Sequence, residues 1–340
     1  MLSLISNYDQ AINKIIEEIK ETAKDDQIII CLYIWEPSFS SDLFLEELRR
    51  AAKRGVKIHI AVDFSYASNF ARLIEKTKSF FPSIKELAKE FPNQVCLNHN
   101  RFPNHSKYFI FKKKNNSSAF FGGINISDRF KEWKDFLIYV KDDRVVDEIL
   151  EKLEGQSQHY MGLNQKEIQF VTNQPRFKLY EVRSALYDFF ADESFDKYVV
   201  SMAYIDSEGV DVLENALQRN VRVELILPQK ANVYYHANIK SACRLIEKYN
   251  SIEINLHPKM VHTKAAVAYK SSVPKLSFVG SANFKKNSFY TLGEFNALIK
   301  NNELNAQLDG EMKILLKESR RMEKVTKYNK ILAAFEEVFG

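Results

Sequence analysis

Two short stretches of this chain carry the same reactive side chains in the same order. His105-Ser106-Lys107 is followed by an apolar run and then by Gly122-Gly123-Ile124-Asn125; His262-Thr263-Lys264 is followed by a second run and then by Gly280-Ser281-Ala282-Asn283. His and Asn are 20 residues apart in the first stretch and 21 in the second. In an extended strand residues i and i+2 face one side, so each imidazole can address the same ligand as its lysine ammonium. The small residues Gly123 and Ser281 let the backbone approach that ligand, and the Asn side chain with nearby backbone N–H groups can donate to it. Two ammonium groups and two imidazoles suit a phosphodiester, whose transition state spreads negative charge over the equatorial oxygens. Two histidines also suit a displacement in two steps. One imidazole attacks phosphorus and becomes phosphohistidine, while the other protonates the leaving alkoxide and then deprotonates an incoming water or alcohol. In-line transfer wants both imidazoles at one phosphorus, so the expectation is one site built from two halves, needing neither metal nor cofactor. Each imidazole also needs an orienting acid. Asp135, in EWKDFLIYV, lies ten residues after Asn125, and Glu294, in GEFNALI, eleven after Asn283. The expected catalytic set is therefore His105, Lys107, Asn125, Asp135, His262, Lys264, Asn283 and Glu294, with Gly123 and Ser281 against the substrate. Either stretch alone is an ordinary occurrence; their repetition in each half of the chain carries the inference.

The elements that must position these residues also repeat. Residues 8–24 have helical apolar spacing, QIIICLYIW (27–35) reads as a buried strand, 41–54 as a helix capped by Ser40 or Ser41 and ended by Gly55, and VKIHIAVD (56–63) as the next strand. In the second half 179–192 read as a helix, KYVVSMAY (197–204) as a strand, 209–219 as a helix and VRVELILP (221–228) as a strand. AAKRGVKIHIAVD and ALQRNVRVELILP begin 165 residues apart. This duplication predicts an α/β fold of two lobes, each a mixed sheet flanked by helices, related by a pseudo-twofold with the site at their interface. The lobes are expected at 1–155 and 179–340, joined by a polar linker at 156–178 that carries Gly162 and Pro175. KKKNNSS (112–118) looks like a hairpin tip. The tail, 305–339, reads as a long charged helix packed on the second lobe.

Composition narrows the remaining choices. The 340 residues carry a net charge of +5, with 44 acidic side chains interleaved among 49 basic ones. That excess is compatible with an anionic substrate without demanding nucleic acid. Cys31, Cys96 and Cys243 are odd in number and scattered, which argues against disulfides or a zinc site. The first residues lack the pattern of a signal peptide, and the longest apolar run, Ile28 to Trp35, is far short of the ~20 residues a membrane span needs. A cytoplasmic or peripheral membrane location is expected. The other histidines, His59, His99, His159, His236 and His257, share no such pattern and read as core or surface residues.

On these motifs the chain resembles the phospholipase D superfamily, whose mark is HxK(x4)D followed by G-[GS]-x-x-N, present twice in most members. Within it the phrases LFLEELRRAAKRGVKIHIAVD, GGINISDRFKEWKDFLIYV, MVHTKAAV and GSANFKKNSFYTLGEFNALI look most like bacterial cardiolipin synthases and their relatives, and the likeness runs from about residue 8 to 300. The chain departs from the pattern where the Asp after each catalytic Lys is replaced, by Lys112 and Tyr269. The resemblance implies a phospholipase D-like hydrolase or cardiolipin synthase-like phosphatidyltransferase, with a glycerophospholipid substrate at a membrane surface. His105 is then the nucleophile, by analogy with the N-terminal motif of phospholipases D, and His262 the general acid. Phe102, Trp133, Phe284 and Tyr290 would face acyl chains, and Lys112–Lys114, Lys285–Lys286 and Arg320–Arg321 the head groups. A metal-independent nuclease of the same superfamily is the alternative, and would need a basic groove following several phosphates. A non-catalytic relative is a third reading, opposed by the retention of His, Lys and Asn in both motifs. Both motifs lie in one chain, so a monomer suffices for a complete site.

Overall fold

A computed structural model describes residues 1–62, 81–98, 102–324 and 326–339. Asp63 and His99, named above, lie outside them. Two compact units emerge: residues 1–132 with 136–158, and residues 159–340 with Trp133–Asp135.

Among the described residues the first unit holds β1 (Leu2–Ile5), β2 (Gln27–Leu32), β3 (Lys57–Val62), β4 (Val95–Asn98), β5 (Tyr108–Lys112), β6 (Ser118–Gly122) and β7 (Leu137–Lys141). They form one sheet in the order β1-β7-β6-β5-β2-β3-β4. β2, β3 and β4 run parallel; β5, β6 and β7 are antiparallel neighbours. The second unit holds β8 (Ile168–Gln174), β9 (Leu179–Tyr180), β10 (Lys197–Met202), β11 (Arg222–Pro228), β12 (Ile252–His257), β13 (Lys264–Lys270), β14 (Val273–Gly280), β15 (Glu294–Ile299) and β16 (Arg320–Arg321). Its sheet runs β16-β12-β11-β10-β13-β14-β15-β8-β9. Without the two-residue edges β9 and β16, the order is that of the first sheet. Each unit is thus the mixed, helix-flanked sheet that the duplication predicted. In each, the His-x-Lys stretch leads into the strand beside the parallel set, β5 or β13, and a hairpin returns to Gly122-Gly123 or Gly280-Ser281.

Several boundaries move, for physical reasons. The helix expected at 41–54 is Phe39–Lys53, because Ser38, extended and accepting from the Ser41 amide, is its cap. The linker expected at 156–178 contains β8, which pairs with β15 along its whole length. Its polar residues misled: Asn173 is buried, donating to the Ser288 carbonyl at 2.7 Å and accepting from the Val182 amide at 3.0 Å, so its polarity serves internal bonding. The single tail helix is two helices, Asn302–Glu318 and Lys330–Phe339, interrupted by β16, which adds to the edge of β12. The last helix docks on the helix Tyr235–Lys248 through Glu336, which accepts from the Ala237 amide at 2.8 Å, and through a 2.7 Å pair between Lys240 and Glu337.

The hairpin at 112–118 is present, but its lysines are committed internally. Lys112 pairs with Asp147 at 2.6 Å. Lys113 is buried against Glu18 at 2.7 Å, and Glu18 also accepts from Ser118 Oγ at 2.6 Å and Tyr139 Oη at 2.6 Å. This cluster fastens the helix Tyr8–Lys20 to the sheet. Burial pushes the Glu18 carboxyl up, but the Lys113 ammonium and the two hydroxyl donors outweigh it and leave it below its ordinary range. Glu18→Ala would strand a buried ammonium and two hydroxyls, a loss of about 3 kcal/mol in urea unfolding. Because the folded-state pKa is depressed, the Glu18 contribution is full above the ordinary carboxylate range and disappears as pH falls through the folded value. The gap between wild type and variant should therefore narrow in acid; a gap independent of pH would contradict the assignment.

Candidate active site

In the first unit His105, Ser106 and Lys107 are all buried just ahead of β5. Lys107 Nζ donates to the His105 carbonyl at 2.5 Å, so the i, i+2 pair folds into a tight cationic hook. Tyr33, on the loop after β2, meets the His105 ring edge-on at 4.7 Å and lies 5.2 Å from Lys107 Nζ. Asn125 fixes that loop by accepting from the Ile34 amide at 2.9 Å. Asn125 thus acts on the backbone that carries Tyr33, a role its sequence position did not reveal. Gly122 has φ +157°, and a Cβ there would sit 2.3 Å from the Phe136 carbonyl, so only glycine fits. The Gly123 amide donates to that same carbonyl at 3.0 Å, so it is engaged with the neighbouring strand.

The second unit repeats this frame with different fittings. His262, Thr263 and Lys264 are buried ahead of and into β13. Lys264 Nζ donates to the His262 carbonyl, and Thr263 Oγ1 bonds Ser201 Oγ on β10. Burial holds the Lys264 ammonium down to about 8, with Asp135 and Glu294 resisting the drop. Ser281 is internal: its hydroxyl donates to Glu294 and accepts from the Phe295 amide at 3.0 Å, while its own amide donates to the Phe295 carbonyl at 3.1 Å. Gly280 packs against β15 so closely that a Cβ would come within 2.4 Å of Asn296 Oδ1 and 2.5 Å of the Phe295 carbonyl. Gly280→Ala should cost about 3 kcal/mol by overpacking, and would displace Asn283 along with the turn. A thermal scan showing an unshifted Tm would refute this reading of the close approach. Asn283 is buried, and its Oδ1 has no hydrogen-bond partner. On the loop after β10 it is Asn238 that accepts from a backbone amide, that of Ile205, at 2.9 Å.

The acid that orients His262 comes from an unexpected place. Asp135 Oδ2 lies 2.6 Å from His262 Nδ1, although Asp135 follows the first motif in sequence. The segment Trp133–Asp135 is fastened beside Val261 and His262. The Lys134 amide donates to the Met260 carbonyl at 2.9 Å, the His262 amide donates to the Lys134 carbonyl at 2.7 Å, and Lys134 pairs with Glu318 at 3.1 Å. Glu318 is held below its usual range by His257 and then Lys134, and the buried His257, 3.0 Å away, completes the clasp. Trp133 places its ring 5.2 Å from that of His262, so this aromatic, expected against acyl chains, packs on the histidine. An imidazole that gives Nδ1–H to a carboxylate carries its reactive lone pair or second proton at Nε2. Phe284, another acyl-chain candidate, is core, while Phe102 and Tyr290 are exposed.

The two replaced aspartates have local substitutes. Asp147, from the helix Asp143–Glu154, reaches Lys112; Asp309, from the helix Asn302–Glu318, accepts from Tyr269 Oη at 2.9 Å. In both units an acid from the flanking helix now ties down the position where the superfamily pattern has its own. Sequence reading also passed over Tyr33, Tyr204 and Tyr234. Tyr204 meets His262 edge-on at 6.3 Å, and its ring lies tilted 5.7 Å from that of Tyr234; both tyrosines follow strands without any motif of their own. Among the described residues no three of His, Cys, Asp and Glu gather as a metal ion would require, and no helix is long and apolar enough to cross a membrane.

These features agree with what the chain is similar to. A family model described as cardiolipin synthase, PLD-like domain, matches residues 15–156 and 191–316. Cardiolipin synthase 1 of Staphylococcus epidermidis is 24% identical over 336 residues, covering 90% of this chain and 66% of that protein; the chain therefore spans just under two thirds of that relative's length. Among solved structures, phosphatidylserine synthase of Haemophilus influenzae is similar with a TM-score of 0.77 at 12% identity, covering 99% of this chain and 92% of that one. Polyphosphate kinase of Porphyromonas gingivalis follows with a TM-score of 0.64 at 13% identity, covering 97% of this chain and 50% of that one. At such identities the structural likenesses speak for the fold, and the sequence match, spanning both repeats and their His-x-Lys stretches, places the chain in the cardiolipin synthase-type PLD-like domain family of the phospholipase D superfamily.

Proposed function

We propose that the protein cleaves or transfers a phosphodiester of a glycerophospholipid through a covalent phosphohistidine. The observation that carries this reading is the 2.6 Å contact between His262 Nδ1 and Asp135, with Lys264 hooked beneath the same histidine. A carboxylate-backed imidazole can hold a proton at Nε2 and deliver it to a leaving oxygen. In the proposed course a ring nitrogen of His105 attacks phosphorus with its lone pair. The bond from phosphorus to the leaving oxygen breaks, and that oxygen takes the Nε2 proton of His262. Water or an alcohol then loses its proton to His262 Nε2 and attacks phosphorus. The N–P bond breaks and its electrons return to His105. Lys107 and Lys264 serve as counter-ions to the phosphoryl oxygens. Asp135 and Asn125 position groups, Asn283 offers a buried acceptor, and Glu294 is proposed as the second orienting acid.

The lipid assignment is supported by the family match and by the internal commitment of several basic residues. Lys112, Lys113 and Arg321 are paired with acids, which disfavours a long phosphate-tracking groove. The test is incubation with vesicles of phosphatidylglycerol or phosphatidylcholine, and separately with single-stranded DNA, all in EDTA. Phosphatidate or cardiolipin should appear. DNA cleavage without lipid turnover would overturn the substrate assignment, and failure to trap any phosphoenzyme would overturn the mechanism.

A further inference from the structure

Lys285 follows the second motif by two residues and was expected, with Lys286, to face head groups at a membrane surface. The structure buries it: the residue is 8% exposed. Its ammonium lies 4.8 Å from the Tyr234 ring centroid and 5.9 Å from that of Tyr204, the tyrosine that also meets His262. Among the described residues no carboxylate comes within ion-pair distance of its Nζ. Desolvation holds it down to about 8, and the acids it senses at longer range are Asp206 and Glu294. It is close enough to Lys264 for the two ammonium groups to oppose each other. Burying an ammonium without a partner costs several kcal/mol, and placing it beside a second one costs more. Two aromatic faces return only part of this cost. Asn283, on the same turn, adds a second buried polar group without a partner, its Oδ1. Two uncompensated groups thus lie on one turn, beside Tyr204, whose ring also meets that of His262.

We propose that Lys285 is a specificity-determining residue that binds a second anionic group on the substrate, next to the scissile phosphodiester. Charge counting favours a second anion over the first. A phosphodiester carries one negative charge, for which Lys107 and Lys264 are already the assigned counter-ions; this step rests on the proposed function. A further buried ammonium is matched by a further anion, such as a head-group carboxylate or phosphate monoester. Asn283 Oδ1 can take a hydrogen bond from a donor on the same head group.

Equilibrium binding separates this inference from the proposed reaction, because it does not need turnover. The probes are glycerophosphoglycerol, with one anionic group, and two fragments that carry a second one: glycerophosphoserine, with a carboxylate beside its ammonium, and glycerophosphoglycerol phosphate, with a phosphate monoester. Wild type should bind at least one of the two fragments with a second anionic group about tenfold or more tightly than glycerophosphoglycerol, and the better of the two identifies the anion. Lys285→Met should bring the ratio close to one, and Lys285→Arg should keep most of it. Since Lys285→Met removes an uncompensated buried charge, its Tm should hold or rise, so a lost preference is not a lost fold. Equal affinities in wild type, or a preference that survives in Lys285→Met, would overturn the inference. A preference with no lipid turnover in vesicles would leave it standing and fell the proposed reaction; turnover with no preference would do the reverse.

Discussion

Replacing either motif histidine by alanine should abolish turnover, by about 10⁴-fold or more in kcat, and the two variants should fail differently. His105→Ala removes the proposed nucleophile, so no phosphoenzyme can form with any substrate. His262→Ala removes the proton donor but leaves the attacking nitrogen. With a natural lipid, whose leaving alkoxide is strongly basic, the first step is blocked. With a p-nitrophenyl phosphodiester the leaving group departs unprotonated, so the first step proceeds. Deprotonation of the attacking water is still lost. His262→Ala should therefore release about one equivalent of p-nitrophenolate in a burst and then stall with the remaining phosphoryl ester on His105. Rapid quench with labelled substrate, followed by peptide mapping of the label, reads this directly. A burst in His105→Ala and none in His262→Ala would exchange the two roles. Steady turnover of lipid in either variant would sink the two-histidine scheme.

What the sequence disclosed about this site, and what it hid, follows from the range of each interaction. His-x-Lys and the glycine pair were legible because their roles are local. An i, i+2 hook and a strand end too tight for a Cβ are fixed within a few residues, as Gly122 and Gly280 demonstrate. The duplicated sheet was legible because its buried strands are short continuous apolar runs, repeated with their helices in the same order. β8 was missed because its buried Asn173 and Thr172 look, in sequence, like solvated linker residues. The charge clusters were misread for a related reason. A lysine run gives no sign of whether its partners sit on a helix about a hundred residues away, as they do for Lys113 and Glu18.

The orienting acid shows the same limit most sharply. Asp135 was found by its type and its spacing from Asn125, and sequence proximity attached it to the first motif. Its contact with His262 spans 127 residues of chain, and it depends on Lys134 being clasped by Met260, Glu318 and the His262 backbone. None of those contacts has a sequence period or a spacing rule. Tyr204 and Tyr234 were passed over likewise, and Lys285 was read only as part of a charge cluster, since an aromatic or a lysine becomes informative only when its neighbours are known. The internal repeat therefore located the candidate residues, while the asymmetry between the repeats became visible only in three dimensions.

Asp135→Asn provides the second large effect and tests the dyad without changing its shape. Asn is nearly isosteric, but it carries no charge to stabilise an imidazolium, and its amide group can turn to donate to Nδ1 and hold the ring in the wrong tautomer. Turnover of lipid should fall by about 10³-fold in kcat, with KM changed little, because the interaction lost is one that grows in the transition state. The loss should depend on the leaving group. Where His262 must protonate a basic alkoxide, the full penalty applies. Where p-nitrophenolate leaves, formation of the phosphoenzyme should be nearly as fast as in wild type, and only the hydrolytic second step should slow. A variant that had merely loosened the Trp133–Asp135 segment would slow the first step for both substrates alike, and its Tm would drop as the clasp of Lys134 and Glu318 opened. Equal losses in phosphoenzyme formation on both leaving groups would thus assign Asp135 to packing, whereas a penalty confined to the proton-requiring steps ties the carboxylate to the proton that His262 carries.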